Sequence, residues 1–336
     1  MLMESRLAHW LVAAEAASDL RARADMSSDT PPKTTSSRYK VQRHSGERWF
    51  TGDLQHHEDG SRPLSEHVAI VHEAGYDFIC LQYKDMEDPN RVPDPDEVSS
   101  ESFLVIPGSE QAFLGSRSLW MHMGFMPFGI PIPDTITDYM NIAEGLAEVE
   151  RRSPDCLKVI HHPGDERWLL EDIRAAYEGG ARFFELNLEG SGRQFPVDLW
   201  DQALSAGMFF YATMSTDAHS LAGIRIRGYV RVRAARLSRE DILGALKAGD
   251  FVAVEEGCKA VVTDVARPGG KAGGQYCILG KDIAEVRFIG RGGNCLAAVH
   301  ANEATYVIIG SEGYVRAEVS DSAGVRCFTQ PVMLSP

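Results

Sequence analysis

The stretch Gly52-Asp53-Leu54-Gln55-His56-His57 is the part of the chain that indicates the fold most directly. It ends a β-prone run, Trp49–Leu54, which predicts a short strand with two adjacent histidines at its carboxyl end. Neutral imidazole and carboxylate groups are the side chains that bind Zn, Mn or Fe ions. Such groups follow apolar runs at four more places: Gly108-Ser109-Glu110, His122, His161-His162-Pro163 and Asp217-Ala218-His219. The sequence therefore predicts strand ends that converge on a metal site.

Strand-like and helix-like segments alternate between residues 39 and 256, which indicates an α/β fold with a parallel β/α pattern. We predict strands at Tyr76–Leu81, Phe103–Ile106, Leu119–His122, Leu157–Ile160, Phe183–Leu188, Met208–Met214 and Phe251–Glu255. We predict helices at Pro63–Ala74, Thr137–Arg152, Glu166–Tyr177 and Val197–Ala206, and a further helix capped by Ser238. Sheets of this kind place their sites at the carboxyl ends of strands, where the candidate ligands lie.

The chain divides into three parts by composition. Residues 1–38 predict an N-terminal helix followed by a flexible linker, because an Ala-rich stretch precedes a polar segment with two prolines. Residues 39–256 carry the alternating strands and helices and the candidate metal ligands, and they form one predicted domain. From residue 257 onward, glycine pairs alternate with short β-prone runs, which predicts a small antiparallel β domain over residues 257–336.

Composition excludes some classes of protein. The formal net charge of −14 over 336 residues leaves no basic surplus for binding nucleic acid, although a metal site could still attract a small anionic substrate. No apolar run approaches the roughly 20 residues that span a bilayer. The six cysteines are widely separated, which is typical of reduced thiols in a cytoplasmic protein. The oligomeric state is left open.

Taken in order, these motifs resemble the PHP (polymerase and histidinol phosphatase) family. Its members are distorted β/α barrels that hold two or three metal ions and mostly hydrolyse phosphate esters. Gly52-Asp53-Leu54 and His57 match the opening motif of the family, and Gly108-Ser109-Glu110 matches its next carboxylate motif. The later matches are His122, His162-Pro163 and Asp217-Ala218-His219. The resemblance implies a distorted PHP-type barrel with a C-terminal β appendage.

Three positions depart from the family pattern. Gln55 stands where the family has its first histidine, and Gln82-Tyr83-Lys84 stands where it has Thr-Asp-His. The resemblance implies one ion held by Gln55, His57, Glu110 and Asp217, and a second held by Glu110, His122 and His162. A third site would use the Asp59-Gly60 loop, the position of Lys84 and His219, and the ammonium group of Lys84 cannot bind a cation. We therefore expect one or two divalent ions.

The substituted residues have candidate roles of their own. Lys84 could supply positive charge to an anionic substrate in place of the third ion. Tyr83 could donate a hydrogen bond, or act as a general acid if its pKa falls. Asp217 or His219 could orient a metal-activated water.

Several alternatives stay open. His56 and His161 could be ligands in place of their neighbours His57 and His162. Glu185 and Asn187 could line the pocket. The basic run that includes Arg225, Arg227, Arg231 and Arg233 could clasp an anion or form a solvated face.

The leading interpretation is a metal-dependent hydrolase that acts on a small phosphate ester or a related ester. One alternative is a degenerate family member that binds an anionic ligand or a partner without turnover. Another alternative is a lyase or isomerase that uses Lys84 and Tyr83 as acid and base.

Overall fold

The computed structural model describes residues 47–58, 60–83, 95–128, 139–164, 168–187, 195–221 and 227–334. Lys84 and the predicted N-terminal helix and linker lie outside these ranges, and the predicted domain boundaries stay predictions. Among the described helices, none is both long enough and apolar enough to cross a membrane.

The first part of the chain alternates strands and helices. Its strands are β1 (Arg48–His56), β2 (Phe78–Tyr83), β3 (Leu104–Leu114), β4 (Trp120–Met126), β5 (Leu157–Ile160), β6 (Phe183–Glu185), β7 (Tyr211–Thr213), β8 (Gly228–Ala234) and β9 (Phe251–Glu255). Its helices are α1 (Leu64–Glu73), α2 (Pro95–Val98), α3 (Ile142–Arg152), α4 (Leu170–Glu178), α5 (Phe195–Ser205) and α6 (Arg239–Ala248).

The predicted parallel pairing is present, but the sheet is mixed and has antiparallel exceptions. Its order here is β9-β8-β1-β2-β3-β4-β5-β6-β7. The pairs β1–β2, β2–β3, β5–β6 and β6–β7 are parallel, whereas β3–β4, β4–β5, β1–β8 and β8–β9 are antiparallel. The short turn between Leu114 and Trp120 accounts for one exception, because only antiparallel neighbours can be joined by so few residues.

The last part of the chain is almost entirely strand. It contains β10 (Val261–Ala266), β11 (Gln275–Lys281), β12 (Glu285–Gly290), β13 (Asn294–Val299), β14 (Glu303–Val307), β15 (Tyr314–Ser320), β16 (Arg326–Thr329) and β17 (Val332–Met333). The strands β10, β11 and β14 form a separate antiparallel sheet, and β16 pairs with β9 and so extends the main sheet. The predicted α/β barrel with a C-terminal antiparallel β region is confirmed.

The Gln330 side chain connects β7, the last strand in this order, with the segment that follows β16. Gln330 follows β16 directly, and its amide accepts a hydrogen bond from the N–H of Ala212 in β7 and donates one to the carbonyl of the same residue. Gln330 is buried, so both polar ends of its amide need partners inside the protein. The side chain thus bonds both backbone polar groups of Ala212, as a neighbouring strand would, and links β7 to the segment after β16.

Helix α3 begins later than its periodicity suggests. The predicted start at Thr137 is wrong, because Tyr139–Asn141 precede the helix and Asn141 caps it. The Asn141 side chain accepts a hydrogen bond from the Glu144 backbone N–H, and the Glu144 carboxylate accepts one from the Asn141 N–H. This reciprocal capping box ends the extended backbone at Asn141. The predicted cap at Ser238 is confirmed, since its hydroxyl accepts from the Asp241 N–H.

Gly52 is required by packing within the strand that carries the first histidines. It pairs with Phe78 in the parallel β1–β2 ladder, and the Phe78 ring occupies the space where a side chain at residue 52 would begin. The ring is fully buried and cannot swing into solvent. The glycine therefore allows β1 and β2 to pack closely below the site.

We expect Gly52→Ala to lower the free energy of unfolding by about 1–3 kcal/mol, because the added methyl group overpacks the buried Phe78 ring. Gly244→Ala is the matched control: Gly244 lies in α6 with open space beside it, so the change should be neutral or stabilising by up to about 1 kcal/mol. Urea denaturation of both variants measures the difference. Equal stability of Gly52→Ala and the unchanged protein would contradict the packing account.

Candidate metal centre

The Glu110 carboxylate is the middle of the site. It lies in β3 and is almost fully buried. Three imidazole nitrogens surround it: His57 Nε2 at 3.1 Å from Oε2, His162 Nε2 at 3.3 Å from Oε1 and His122 Nδ1 at 3.6 Å from Oε1. Burial alone would raise the pKa of the Glu110 carboxyl, but hydrogen bonds with His162 and His57 hold the pKa well below its usual range. The group is therefore a carboxylate at neutral pH.

His57 is oriented toward Glu110 by a backbone carbonyl. Its Nδ1 lies 2.8 Å from the carbonyl oxygen of Gln82 at the end of β2, and a carbonyl oxygen can only accept, so Nδ1 carries the proton. The other ring nitrogen, Nε2, faces Glu110 and lies 3.5 Å from Asp217 Oδ1. A ring held in this way presents its second nitrogen to a metal ion.

Asp217 is brought to the site by pairing between distant segments. The Asp217 N–H donates to the Gln55 carbonyl, and the His57 N–H donates to the Ala218 carbonyl, so this loop runs beside the end of β1. Asp217 has a φ of 50°, a strained conformation for a residue with a side chain. Burial acts to raise the pKa of its carboxyl, but the hydrogen bond to His57 and the nearby His162 lower it below the usual value.

Two further groups contact the Asp217 carboxylate. His219 Nε2 lies 3.4 Å from Oδ1, and the His219 ring stacks on the His57 ring at 4.4 Å between centroids. Arg227 Nη1 lies 2.8 Å from Oδ2, where it forms an ion pair with Asp217. The sequence placed Arg227 only in a basic run, and its role at this carboxylate was missed.

Gln55 contacts Asp217 through its amide nitrogen. Its Nε2 donates to Asp217 Oδ1 at 3.0 Å, and its Oε1 lies 3.4 Å from the Ser215 hydroxyl oxygen. In this orientation, the carbonyl oxygen that could bind an ion faces Ser215. The ligand role of Gln55 stays a prediction.

His57 and His162 contact Glu110, whereas their sequence neighbours His56 and His161 do not point into the centre. His56 lies 3.0 Å from Asp53 through Nδ1 and 2.8 Å from His67 through Nε2, all three being buried. His161 is fully buried, packs on Gly124 and lies 3.7 Å from Glu185. Both neighbours thus belong to the polar layer behind the site.

Glu185 and Asn187 support the site from behind. Glu185 Oε2 accepts from the His162 N–H at 2.7 Å, and its Oε1 accepts from the Ser215 hydroxyl. Asn187 accepts from the Ser215 N–H. His162 has a φ of 24°, so the buried Glu185 carboxylate holds a strained backbone in place. These contacts position a ligand loop.

The lowered pKa that would favour Tyr83 as a general acid is not present. Burial raises the pKa of its hydroxyl above the usual value, and the nearby Glu58 carboxylate adds to the shift. Donation of a hydrogen bond stays open to it. Lys84 lies outside the described residues, so its catalytic role stays a prediction.

The donor groups fit a divalent ion. Among the described residues, two sets of three side chains have candidate ligand atoms within 4.8 Å of one another. The sets are Glu110, His122 and His162, and His57, Asp217 and His219. Mixed imidazole and carboxylate donors suit Zn, Mn or Fe. The set of Glu110, His122 and His162 is the second ion site that the PHP resemblance implies, whereas the other set joins His219 to His57 and Asp217 of the implied first ion site.

No protein-family model matches this chain, and no curated protein is similar to it in sequence. Among solved structures, it is similar to a two-domain protein from Bacteroides vulgatus that contains a predicted PHP-like metal-dependent phosphoesterase. The identity is 15%, the match covers 90% of this chain and 91% of that chain, and the TM-score is 0.47.

Two other solved structures match a smaller part of the chain. One is a proposed metal-dependent phosphoesterase from Bifidobacterium adolescentis, with 15% identity over 50% of this chain and 87% of that chain and a TM-score of 0.40. The other is an amidohydrolase from Chromobacterium violaceum, with 11% identity over 50% of this chain and 87% of that chain and a TM-score of 0.37. The function is therefore inferred from the geometry of the site.

We expect His122→Ala to lower the metal affinity at least about tenfold, because loss of even an outer partner of a ligand costs about 10- to 100-fold. The measurement is elemental analysis of protein purified without chelators or a His tag. His300→Ala is the control, since His300 is 76% exposed and pairs with Glu285 away from the site. Equal metal content in both variants would contradict the assignment.

Proposed function

We propose that this protein is a metal-dependent hydrolase that cleaves a small phosphate ester, or a related ester, through metal-activated water. The observation that supports the proposal is the buried Glu110 carboxylate, which three imidazoles contact from different parts of the barrel. A divalent ion (Mn, Zn or Fe) held there supplies Lewis acidity and lowers the pKa of a water molecule.

The substrate reaches the metal centre from the side on which His122 and His219 are exposed. The His122 side chain is 31% exposed and that of His219 is 59% exposed, whereas Glu110 is enclosed. A phosphate group that enters here meets His122 and His219 before it reaches the carboxylate. The anionic group and the centre then come together at the carboxyl ends of the strands, as in other β/α folds.

Asp217 and His219 together can move a proton. The Asp217 carboxyl has a lowered pKa, so it stays ionised and is a weak base. Its Oδ1 lies 3.4 Å from His219 Nε2 and can orient the ring. His219 can then accept a proton from the attacking water or give one to the departing alcohol, as imidazole groups do in many enzymes.

Positive charge from the protein balances the anionic substrate. Arg227 already pairs with Asp217, and Lys84 is the residue that the resemblance places at the third ion position. Fixed cations at the reacting phosphate stabilise the charge that develops in the transition state. We therefore propose that Lys84 is one source of positive charge at the substrate and that Arg227, beside Asp217, is a second.

A turnover assay tests the proposed activity. We expect Mn-loaded protein to hydrolyse p-nitrophenyl phosphate or bis(p-nitrophenyl) phosphate, and Glu110→Gln to lower kcat/KM at least about 100-fold, because the neutral amide cannot offset the charge of an ion. The control is His300→Ala, which should keep full activity. Turnover that survives both a chelator and Glu110→Gln would contradict the proposal.

We expect Lys84→Met to lower kcat/KM about tenfold or more, since a fixed charge near the phosphate is lost while the side-chain length is kept. Lys247→Met is the control, because Lys247 lies on the exposed side of α6. Steady-state kinetics at several salt concentrations gives the measurement. Full activity in Lys84→Met would show that the residue has no electrostatic role.

A binding protein without turnover is the second candidate function. The contacts of Gln55 and Arg227 with Asp217 favour it, because both donors engage a carboxylate that an ion would otherwise use. Mn-loaded protein that binds inorganic phosphate but hydrolyses neither ester would support this candidate. The lyase or isomerase alternative depends on Lys84 and Tyr83 together, and Lys84 lies outside the described residues.

A further inference from the structure

Large apolar side chains are exposed at one end of the β3–β4 hairpin. Five such side chains are exposed in the described part of the chain: Leu119, Trp120, Tyr139, Val307 and Ile309. The first two belong to the hairpin, and Tyr139 lies beside it because the Leu114 N–H donates to the Met140 carbonyl. Trp120 is 58% exposed, so much of a large aromatic side chain faces solvent.

The register of the hairpin places Trp120 on the same face as the metal centre. The directly opposed pairs are Glu110 with Gly124, Ala112 with His122 and Leu114 with Trp120. Opposed residues and their i+2 neighbours share one face of a sheet. The contact between Glu110 and His122 shows that this face is turned toward the centre. Trp120 therefore lies on the same face as His122, about 7 Å farther along the strand and away from Glu110.

The other face of the hairpin is core. Phe113, Met121 and Met123 are fully buried in one apolar cluster. On the Trp120 face, by contrast, Ala112 and Leu114 are only partly buried, and the small Ala112 lies opposite His122. No large side chain therefore lies directly opposite His122 on this face.

Backbone hydrogen bonds hold the end of the hairpin rigidly. The Gly115 N–H donates to the Leu119 carbonyl at 2.8 Å, and the Ser116 N–H donates to Asp172 Oδ1 at 2.7 Å, which joins the turn to α4. A side chain on a preformed element loses little conformational freedom when it binds a ligand. The exposed indole is therefore suited to a contact that is made without rearrangement.

We propose that Trp120 is the specificity platform of the active site, on which a flat aromatic ring of the substrate stacks while its phosphate group lies at His122. This inference rests on the proposed function and names the substrate class, a phosphate ester of an alcohol that carries an aromatic ring. Three side chains are too few for a protein interface, which uses roughly 20–30 residues a side. The net charge of −14 favours a single small ligand over a nucleic-acid strand.

Two probes that differ only by an aromatic ring system test the platform. Adenosine 5′-phosphate and ribose 5-phosphate share the sugar and the phosphate, so their affinities for the Mn-loaded protein differ through the base. Base–aromatic stacking, by alanine substitution, is strong enough to predict at least about fivefold tighter binding of the nucleotide. Isothermal titration calorimetry measures both affinities.

We expect Trp120→Ala to bring the affinity ratio of the two probes close to one and to leave the affinity for ribose 5-phosphate unchanged. Trp120→Phe should keep most of the ratio, because a phenyl ring also stacks. Ile309→Ala, a change at a distant exposed apolar residue, is the control and should keep the whole ratio. Both positions are exposed, so neither change should disturb the core.

Each other outcome overturns a different statement. Equal affinities in the unchanged protein, or a ratio that survives Trp120→Ala, would overturn the platform and leave the phosphate site intact. Failure of both probes to bind would contradict the phosphate site and the platform together. Loss of hydrolysis with a preserved ratio would contradict the proposed catalysis alone.

Discussion

The buried carboxylate of Glu110 is the constraint on which the site depends. A carboxylate removed from water is costly unless positive charge or strong hydrogen bonds compensate it. Glu110 obtains this compensation from His57, His122 and His162, which come from the end of β1, from β4 and from the loop after β5. The sheet order places these segments around β3. The same arrangement of donors can hold a divalent ion.

A second layer of buried polar groups keeps the ligand loops in place. Asp53 accepts from the Thr216 N–H at 3.0 Å and also contacts the Thr216 hydroxyl and His56. Glu185 holds the backbone of His162 in a similar way. Both loops contain residues with positive φ, so these contacts offset local strain next to the site. Such networks are sensitive to the loss of any one member, because a buried partner would be left unsatisfied.

Local patterns predicted the strands well, because apolar runs and glycine stops are short-range signals. The strands Leu157–Ile160 and Phe251–Glu255 have the predicted bounds. The family motif indicated His57 over His56, but periodicity alone could not decide between them, since adjacent residues at a strand end point to opposite sides and either side could face the centre. The Asn141 cap was hidden by a helical pattern that continues upstream of it.

Contacts between distant segments left no signal in the sequence. Asp53 and Thr216 are 163 residues apart, and nothing in either local stretch indicates their pairing. The role of Arg227 is similar, because a basic run is also typical of a solvated face. The position of Trp120 on the face of Glu110 depends on strand register, which only the folded hairpin sets. The family motifs therefore indicated the candidate ligands that lie together in the structure, whereas the pairing of Asp53 with Thr216 and of Arg227 with Asp217 had no signal in the sequence.

Anomalous X-ray diffraction from crystals grown with Mn tests the central claim most directly. The account predicts an anomalous peak within bonding distance of Glu110, His122 and His162, in the absence of any substrate. Crystals with full Mn exposure and no peak there, in which the imidazoles only donate hydrogen bonds to Glu110, would contradict it.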